Sequence, residues 1–229
     1  MSIKINSAVS FGLNVENIEI EINAIKSDRT KFSYIGVYQN YGASLTKKIY
    51  SIVEKYGIDI PLSHYIINVV GYAGPTLYKK TLDLPILTTI LIYINAISSP
   101  HTLFLLRNAF MIGEVGLDGT VLPTSRALAL VYAQQSRKIK SYVIPSANRS
   151  INHYLEKDNL YGLDNIQELV TDSELTPLKV VPEAHIRPQK EYDVDYSDVV
   201  GLENAKYAMQ IVAAGGHNIF LFGSPGTGS

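Results

Sequence analysis

The sequence contains no cysteine and no tryptophan, has only 3 methionines, and carries a formal charge of −1 that leaves neither sign in excess. Without cysteine there is no disulfide framework and no thiolate metal site, a composition that suits a reducing compartment, and the cytoplasm is the expected location. With 20 Lys and Arg against 21 Asp and Glu, the chain is not one that holds nucleic acid by gross positive charge, although a local basic face stays open. The 5 histidines are scattered without metal-ligand spacing, so no metal site is expected. The opening MSIKINSAVSFGLN lacks the apolar stretch of a secretory signal, and secretion is not expected. The most apolar run, Leu84 to Ile97, is uncharged but shorter than the roughly 20 residues of a spanning helix. It reads as a buried helix, and no membrane segment is expected.

What the chain has is enough apolar material for a sizeable core, with 46% hydrophobic residues over 229 positions. Residues 15–25 alternate strictly, Ile18, Ile20 and Ile22 against Glu19 and Glu21, as a half-buried strand does. Leu45, Ile49, Ile52, Val53 and Tyr56 recur at helical spacing, which predicts a helix over 43–56 capped by Ser44 and stopped by Gly57. HYIINVV (64–70) reads as a central strand, and Gly71, Gly74 and Pro75 mark the loop after it. Asp83 is placed to cap the apolar helix, with Pro85 in its first turn.

Downstream, FMIGEVGLDGTVLP gives two short runs joined through Asp118-Gly119, a hairpin signature. Residues 124–138 have helical spacing, 140–145 a strand pattern, and 164–170 one further short helix. The pattern loosens between 146 and 163. The stretch 173–195, with Pro177, Pro182 and Pro188, reads as a linker, dividing the chain into domains at 1–172 and 196–229. Beyond it a helix (204–214) ending at Gly215-Gly216 and an apolar strand (218–222) lead into a glycine loop. Strands and helices thus alternate, which predicts an α/β or α+β architecture.

That loop, Gly223-Ser224-Pro225-Gly226-Thr227-Gly228, has the glycine spacing of a phosphate-binding G-x-x-x-x-G-K-[ST] turn. In such a turn backbone N–H groups cradle phosphate, a lysine reaches the β- and γ-phosphates, and a hydroxyl holds Mg²⁺. The lysine position is taken here by Ser229. The six loop residues are the candidate nucleotide site in vestigial form, weighed against an ordinary glycine-rich turn.

Residues 196–228, YSDVVGLENAKYAMQIVAAGGHNIFLFGSPGTG, carry a specific resemblance. The segment resembles the entry to the AAA+ module of the magnesium-chelatase-like ComM/YifB family, matching at Asp198, Val199, Gly201, Ala205, Lys206 and the run Ala213 to Asn218. It departs at Leu202, Val212, Ser224 and Ser229. SAVSFGLNVENIEIEI (7–22) and IGEVGLDGTVLP (112–123) are similar to two hairpins of the same family's first domain, which shares its fold with the proteolytic domain of Lon. The resemblance implies a Lon-protease-like N-terminal domain, of the ribosomal protein S5 domain 2-like type, followed by the first helix and strand of a P-loop AAA+ domain. It also implies an ATPase that uses ATP and Mg²⁺, assembles with itself as a ring, and drives branch migration of DNA in recombination and natural transformation. For the chain as given, with Ser229 in place of the lysine and no Walker B pair, the expectation is a split or degenerate scaffold that holds ATP and Mg²⁺ to no useful extent.

Proteolysis is not expected either, and no catalytic residue is assigned. Aligned on the 112–123 hairpin, the Lon lysine position falls at Leu128 and the serine position near Asp83. A dyad needs both a nucleophile and a lowered-pKa base, and both are missing. His64 and His101 read as surface or satisfied core residues, Glu114 as a locally bonded hairpin-edge residue, and His217 as packing against the start of strand 218–222. The 16 dispersed tyrosines read as packing residues and not as stacking platforms.

Overall fold

In a computed structural model, which describes residues 3–12, 14–71, 80–107, 109–135, 137–155, 159–171, 174–179 and 195–224, the alternating segment is a long strand, β2 (Asn14–Lys26). It pairs antiparallel with β1 (Lys4–Phe11) in the register Ile5↔Ile20 and Ser7↔Ile18. Because side chains alternate across a strand, Ile18, Ile20 and Ile22 enter the core while Glu19 and Glu21 stand on the other face, where both pair with Lys4. Two further strands extend this side of the sheet, β4 (Ser63–Val70) antiparallel to β2 and β3 (Lys31–Ile35) parallel to β4.

On the other side β5 (Phe110–Met111), β8 (Tyr142–Pro145) and β9 (Leu160–Leu163) follow in parallel, giving a seven-stranded sheet ordered β3-β4-β2-β1-β5-β8-β9. β5 and β8 are buried on both faces, as their unbroken apolar sequences require. Met111 and Val143 face the main core, whereas Phe110, Tyr142 and Ile144 join a second cluster with Ala8, Leu130 and Leu160.

The main core lies under α1 (Gln39–Tyr56) and α2 (Asp83–Tyr93). Every residue from Asp83 to Ile92 is buried, as expected of a helix that is apolar all round. The second cluster is covered by α4 (Ala127–Tyr132), a 3₁₀ segment (Ser146–Ile151) and α5 (Asn152–Leu155). The hairpin read through Asp118-Gly119 is present as β6 (Glu114–Val115) and β7 (Val121–Leu122), with Gly119 at φ 85° in its turn.

Several boundaries differ from the sequence reading. Helix α1 begins at Gln39, so Ser44 lies inside it and is not its cap; burial of Tyr41 extends the helix toward its start, and Gly57 closes it at φ 61°. The helix expected over 124–138 is confined to Ala127–Tyr132, because Arg126 before it adopts a left-handed conformation and only a short apolar face meets the second cluster. Two elements were not anticipated. Helix α3 (Pro100–Leu106) has Ser99 as its cap, the hydroxyl accepting from Thr102 N–H at 3.2 Å. Strand β9 forms where the pattern had loosened, and α6 (Gln167–Val170) follows it.

The chain divides into two units, residues 1–183 and 184–229. The start of the stretch read as linker packs on the first unit: Leu175 is buried, Leu178 N–H donates to the Leu160 carbonyl at 2.7 Å, and Pro177 bridges to Tyr161. Residues 180–194 lie outside the described residues, as does the loop marked by Gly74 and Pro75. The second unit contains a 3₁₀ turn (Tyr196–Asp198), capped by Asp195, and α7 (Glu203–Gly215), closed by Gly216. The strand expected at 218–222 is not formed. Those residues are exposed and without ladder partners among the described residues, because a strand exists only against a neighbour.

Candidate functional site

Two places carry polar chemistry. The first is a buried carboxylate at the start of α2. Asp83 is the first residue of that helix and only 1% exposed, and its oxygens are taken by three donors from distant segments. Tyr41 donates its hydroxyl to Oδ1 at 2.7 Å, Lys48 its ammonium to Oδ2 at 2.6 Å, and Val115 its backbone N–H to Oδ2 at 3.3 Å. Tyr41 and Lys48 are seven positions apart on α1, two turns on one face, so a single helix presents both to the carboxylate. A second carboxylate, Glu114 on β6, pairs with Lys80 at 2.9 Å and lies 4.0 Å from Lys48.

Asp83 is therefore a cross-link between α1, α2 and the hairpin, and not the helix cap that its sequence position suggests; α2 has no side-chain cap at all. Glu114 is likewise not merely locally bonded. Burial raises the Asp83 carboxyl above the ordinary carboxylate range, opposed by the hydrogen bonds from Lys48 and Tyr41. Burial, followed by the adjacent Asp83, pushes the Tyr41 phenol well above its usual range.

This arrangement holds three elements together but offers no reactive group. Both carboxylate oxygens are occupied, and no serine, threonine or cysteine hydrogen-bonds Lys48 among the described residues. The Lon-type positions hold Asp83, locked in this network, and Leu128, an exposed residue of α4. Among the described residues no group of His, Asp and Glu could hold a metal ion. His64 shares a 2.7 Å hydrogen bond with Ser33 Oγ and His101 is exposed, in line with their reading as ordinary residues. His217 is exposed, with its ring against Gly215.

The second place is the glycine loop. Gly223 and Ser224 are exposed and continue the extended segment 218–222, whereas Pro225, Gly226, Thr227 and Gly228 lie outside the described residues. Ile219, Phe220, Leu221 and Phe222 are 42%, 87%, 44% and 93% exposed and pair with no strand among the described residues. A phosphate cradle needs fixed N–H groups and a cation, and Ser229 supplies no charge. The sequence of the loop, with Ser229 at the lysine position, does not supply the cation that a magnesium–nucleotide meets there.

Two family profiles match the chain. Residues 19–148 match the profile described as "Subunit ChlI of Mg-chelatase", and residues 195–229 match "Magnesium chelatase, subunit ChlI". The chain is 25% identical over 226 residues to an uncharacterized protein YifB of Salmonella typhimurium, covering 98% of this chain and 43% of that protein. It is 24% identical over 229 residues to the competence protein ComM of Haemophilus influenzae, covering 97% and 43%. An uncharacterized protein of Mycobacterium bovis, Mb2921c, is 28% identical over 131 residues, or 54% of this chain and 24% of its own length. The chain thus spans less than half the length of the curated relatives it matches.

Proposed function

The chain belongs to the magnesium-chelatase ChlI family as a ComM/YifB-type member, and on that premise we propose that it serves as the structural first domain of a ComM-like AAA+ machine. In this reading the whole machine is a self-assembled ring that uses ATP and Mg²⁺ to move branched DNA during recombination of incoming strands. The 1–229 polypeptide supplies the scaffold and does not itself hydrolyse ATP. The observation that carries the second part is the pairing of Ser229 at the lysine position with an exposed, unladdered segment before the loop. Loss of the lysine removes the cation that meets the β- and γ-phosphates, and loss of the strand removes the support that aims the backbone donors. The occupied Asp83 network supports the reading of the first domain as a part that holds a shape.

A titration of the purified chain with a fluorescent ATP analogue and Mg²⁺ tests this. The expected result is no saturation below the millimolar range. Saturation at micromolar nucleotide would overturn the reading that this chain holds no nucleotide usefully, and phosphate release from ATP by the same sample would overturn the absence of hydrolysis.

A further inference from the structure

Although the net charge of the chain is close to zero, its cations are unevenly placed. At the pole where β1, β5 and β8 begin, a cleft of about 310 Å³ is lined by Lys4, Asn6, Glu19, Arg137, Lys138 and Lys140, with Ile139 as its apolar floor. Lys4 is shared by Glu19 and Glu21 at 2.6 and 2.8 Å, one cation between two carboxylates, so it is not counted among the cleft's available cations. Arg137, Lys138 and Lys140 are exposed and make no ion pair among the described residues. Arg107 is a fourth such cation. It ends α3 beside the same pole, where Ser141 Oγ donates to the Leu105 carbonyl at 2.6 Å and Phe110 N–H to the Ser141 carbonyl at 2.9 Å.

The backbone of the described residues that carry these charges is hydrogen-bonded. Arg137 N–H donates to the Gln134 carbonyl at 3.0 Å, Ile139 N–H to the Arg137 carbonyl at 2.8 Å, and Asn159 Nδ2 to the Lys140 carbonyl at 2.8 Å. Ile139 packs on the second core cluster. Four cations with no ion pair among the described residues stand close together here and repel one another, a cost that folding tolerates but does not require. A partner bearing repeated single negative charges along a chain would relieve that repulsion, and the hydrogen bonds at Arg137, Ile139 and Lys140 limit the backbone entropy lost on contact.

We propose that this pole is a docking surface for a run of phosphodiesters, and specifically that it grips the DNA backbone. The choice of DNA as the polyanion rests on the functional reading above; the cleft itself does not. The contacts are to phosphate and carry no sequence preference, since no aromatic lines the cleft and the cations that line it, Arg137, Lys138 and Lys140, meet a backbone as point charges.

The test is fluorescence anisotropy of the 1–229 chain with a labelled DNA duplex and its single strand, from about 50 to 200 mM salt. The triple variant Arg137→Gln/Lys138→Gln/Lys140→Gln is expected to weaken binding at least about tenfold at the lowest salt and to reduce the log–log salt slope by about 2 to 3. Arg137 also donates to Gln134 at 3.2 Å. The double variant Lys138→Gln/Lys140→Gln, which spares that bond, is therefore run alongside and should lose about 2 from the slope. A control of equal charge, Lys26→Gln/Lys31→Gln/Lys47→Gln, should stay within about twofold of the parent.

Heparin supplies the same chemistry from another source. Displacement of DNA only when heparin charge matches or exceeds that of DNA supports the proposal, and displacement at roughly tenfold less overturns the choice of DNA. An equal loss in the control, an unchanged double variant, or no binding by the parent at about 50 mM salt overturns the surface itself. None of these outcomes bears on the nucleotide titration, so the two readings fail separately.

Discussion

The two units of this chain differ in what they bury. Residues 1–183 wrap α1 and α2 against one face of a seven-stranded sheet, and residues such as Ile5, Ile20, Ile90 and Val143 have no exposed surface. Within 195–224 no residue is buried; Val200, Phe220 and Phe222 are 96%, 87% and 93% exposed. Yet it is the second unit that carries the more specific motif. Family membership is written in short spacings of glycine, alanine and aspartate, whereas a fold needs apolar surface that meets other apolar surface. The second unit has the spacings, and none of its described residues is buried.

The contrast can be strained from its strongest point. Lys48→Ala leaves Asp83, 1% exposed, with Tyr41 and a backbone N–H as its remaining donors. Breaking a buried pair on one side costs about 3 to 5 kcal/mol, read as a lowered denaturant midpoint at neutral pH. The pH dependence follows from the raised Asp83 carboxyl. A group whose pKa is higher in the folded state favours folding below its ordinary value, and that contribution is lost as pH rises through the raised value. The penalty of Lys48→Ala should therefore shrink as the solution is acidified. Asp83→Asn should remove the acid-side component; a penalty that stays flat with pH would mean that the carboxylate is not the group left unpaired.

Next in size, Ile90→Ala in α2, at 0% exposure, should cost about 2 to 4 kcal/mol through lost burial and a residual cavity. At Gly36, with φ 87°, an added Cβ would overlap the Val69 carbonyl oxygen. Gly36→Ala is expected to cost at least about 1 kcal/mol for the left-handed backbone alone, before the clash is counted. In the second unit Phe220→Ser and Ile211→Ser should each change the midpoint by less than about 0.5 kcal/mol, the range of surface substitutions. A loss at Phe220 as large as that at Ile90 would show a core in the second unit that burial does not reveal.

Much of this was legible in sequence where the cause is local. The alternation of Ile18, Ile20 and Ile22 specified β2, and Gly57 marked the end of α1. The Asp118-Gly119 pair gave the hairpin and the glycine pair 215–216 the end of α7. Asp83 was misread because its partners stand 42 and 35 residues away, and nothing in a local window distinguishes a capping aspartate from a buried ion pair. Strand β9 escaped because four residues with a central glycine carry no period. Ser99 followed by Pro100 is a readable helix start, a local signal for α3 of the same kind as the Gly57 stop. The strand expected at 218–222 shows the reverse error: an apolar run is necessary for a buried strand, and a neighbour is also required.

Native-state amide hydrogen exchange of the purified chain addresses that difference most directly. The account predicts slow exchange in β1, β2 and β4, whose ladders lie inside the sheet, and fast exchange at 218–222, whose amides have no ladder partner among the described residues. Protection at 218–222 comparable to that of β2 would contradict it.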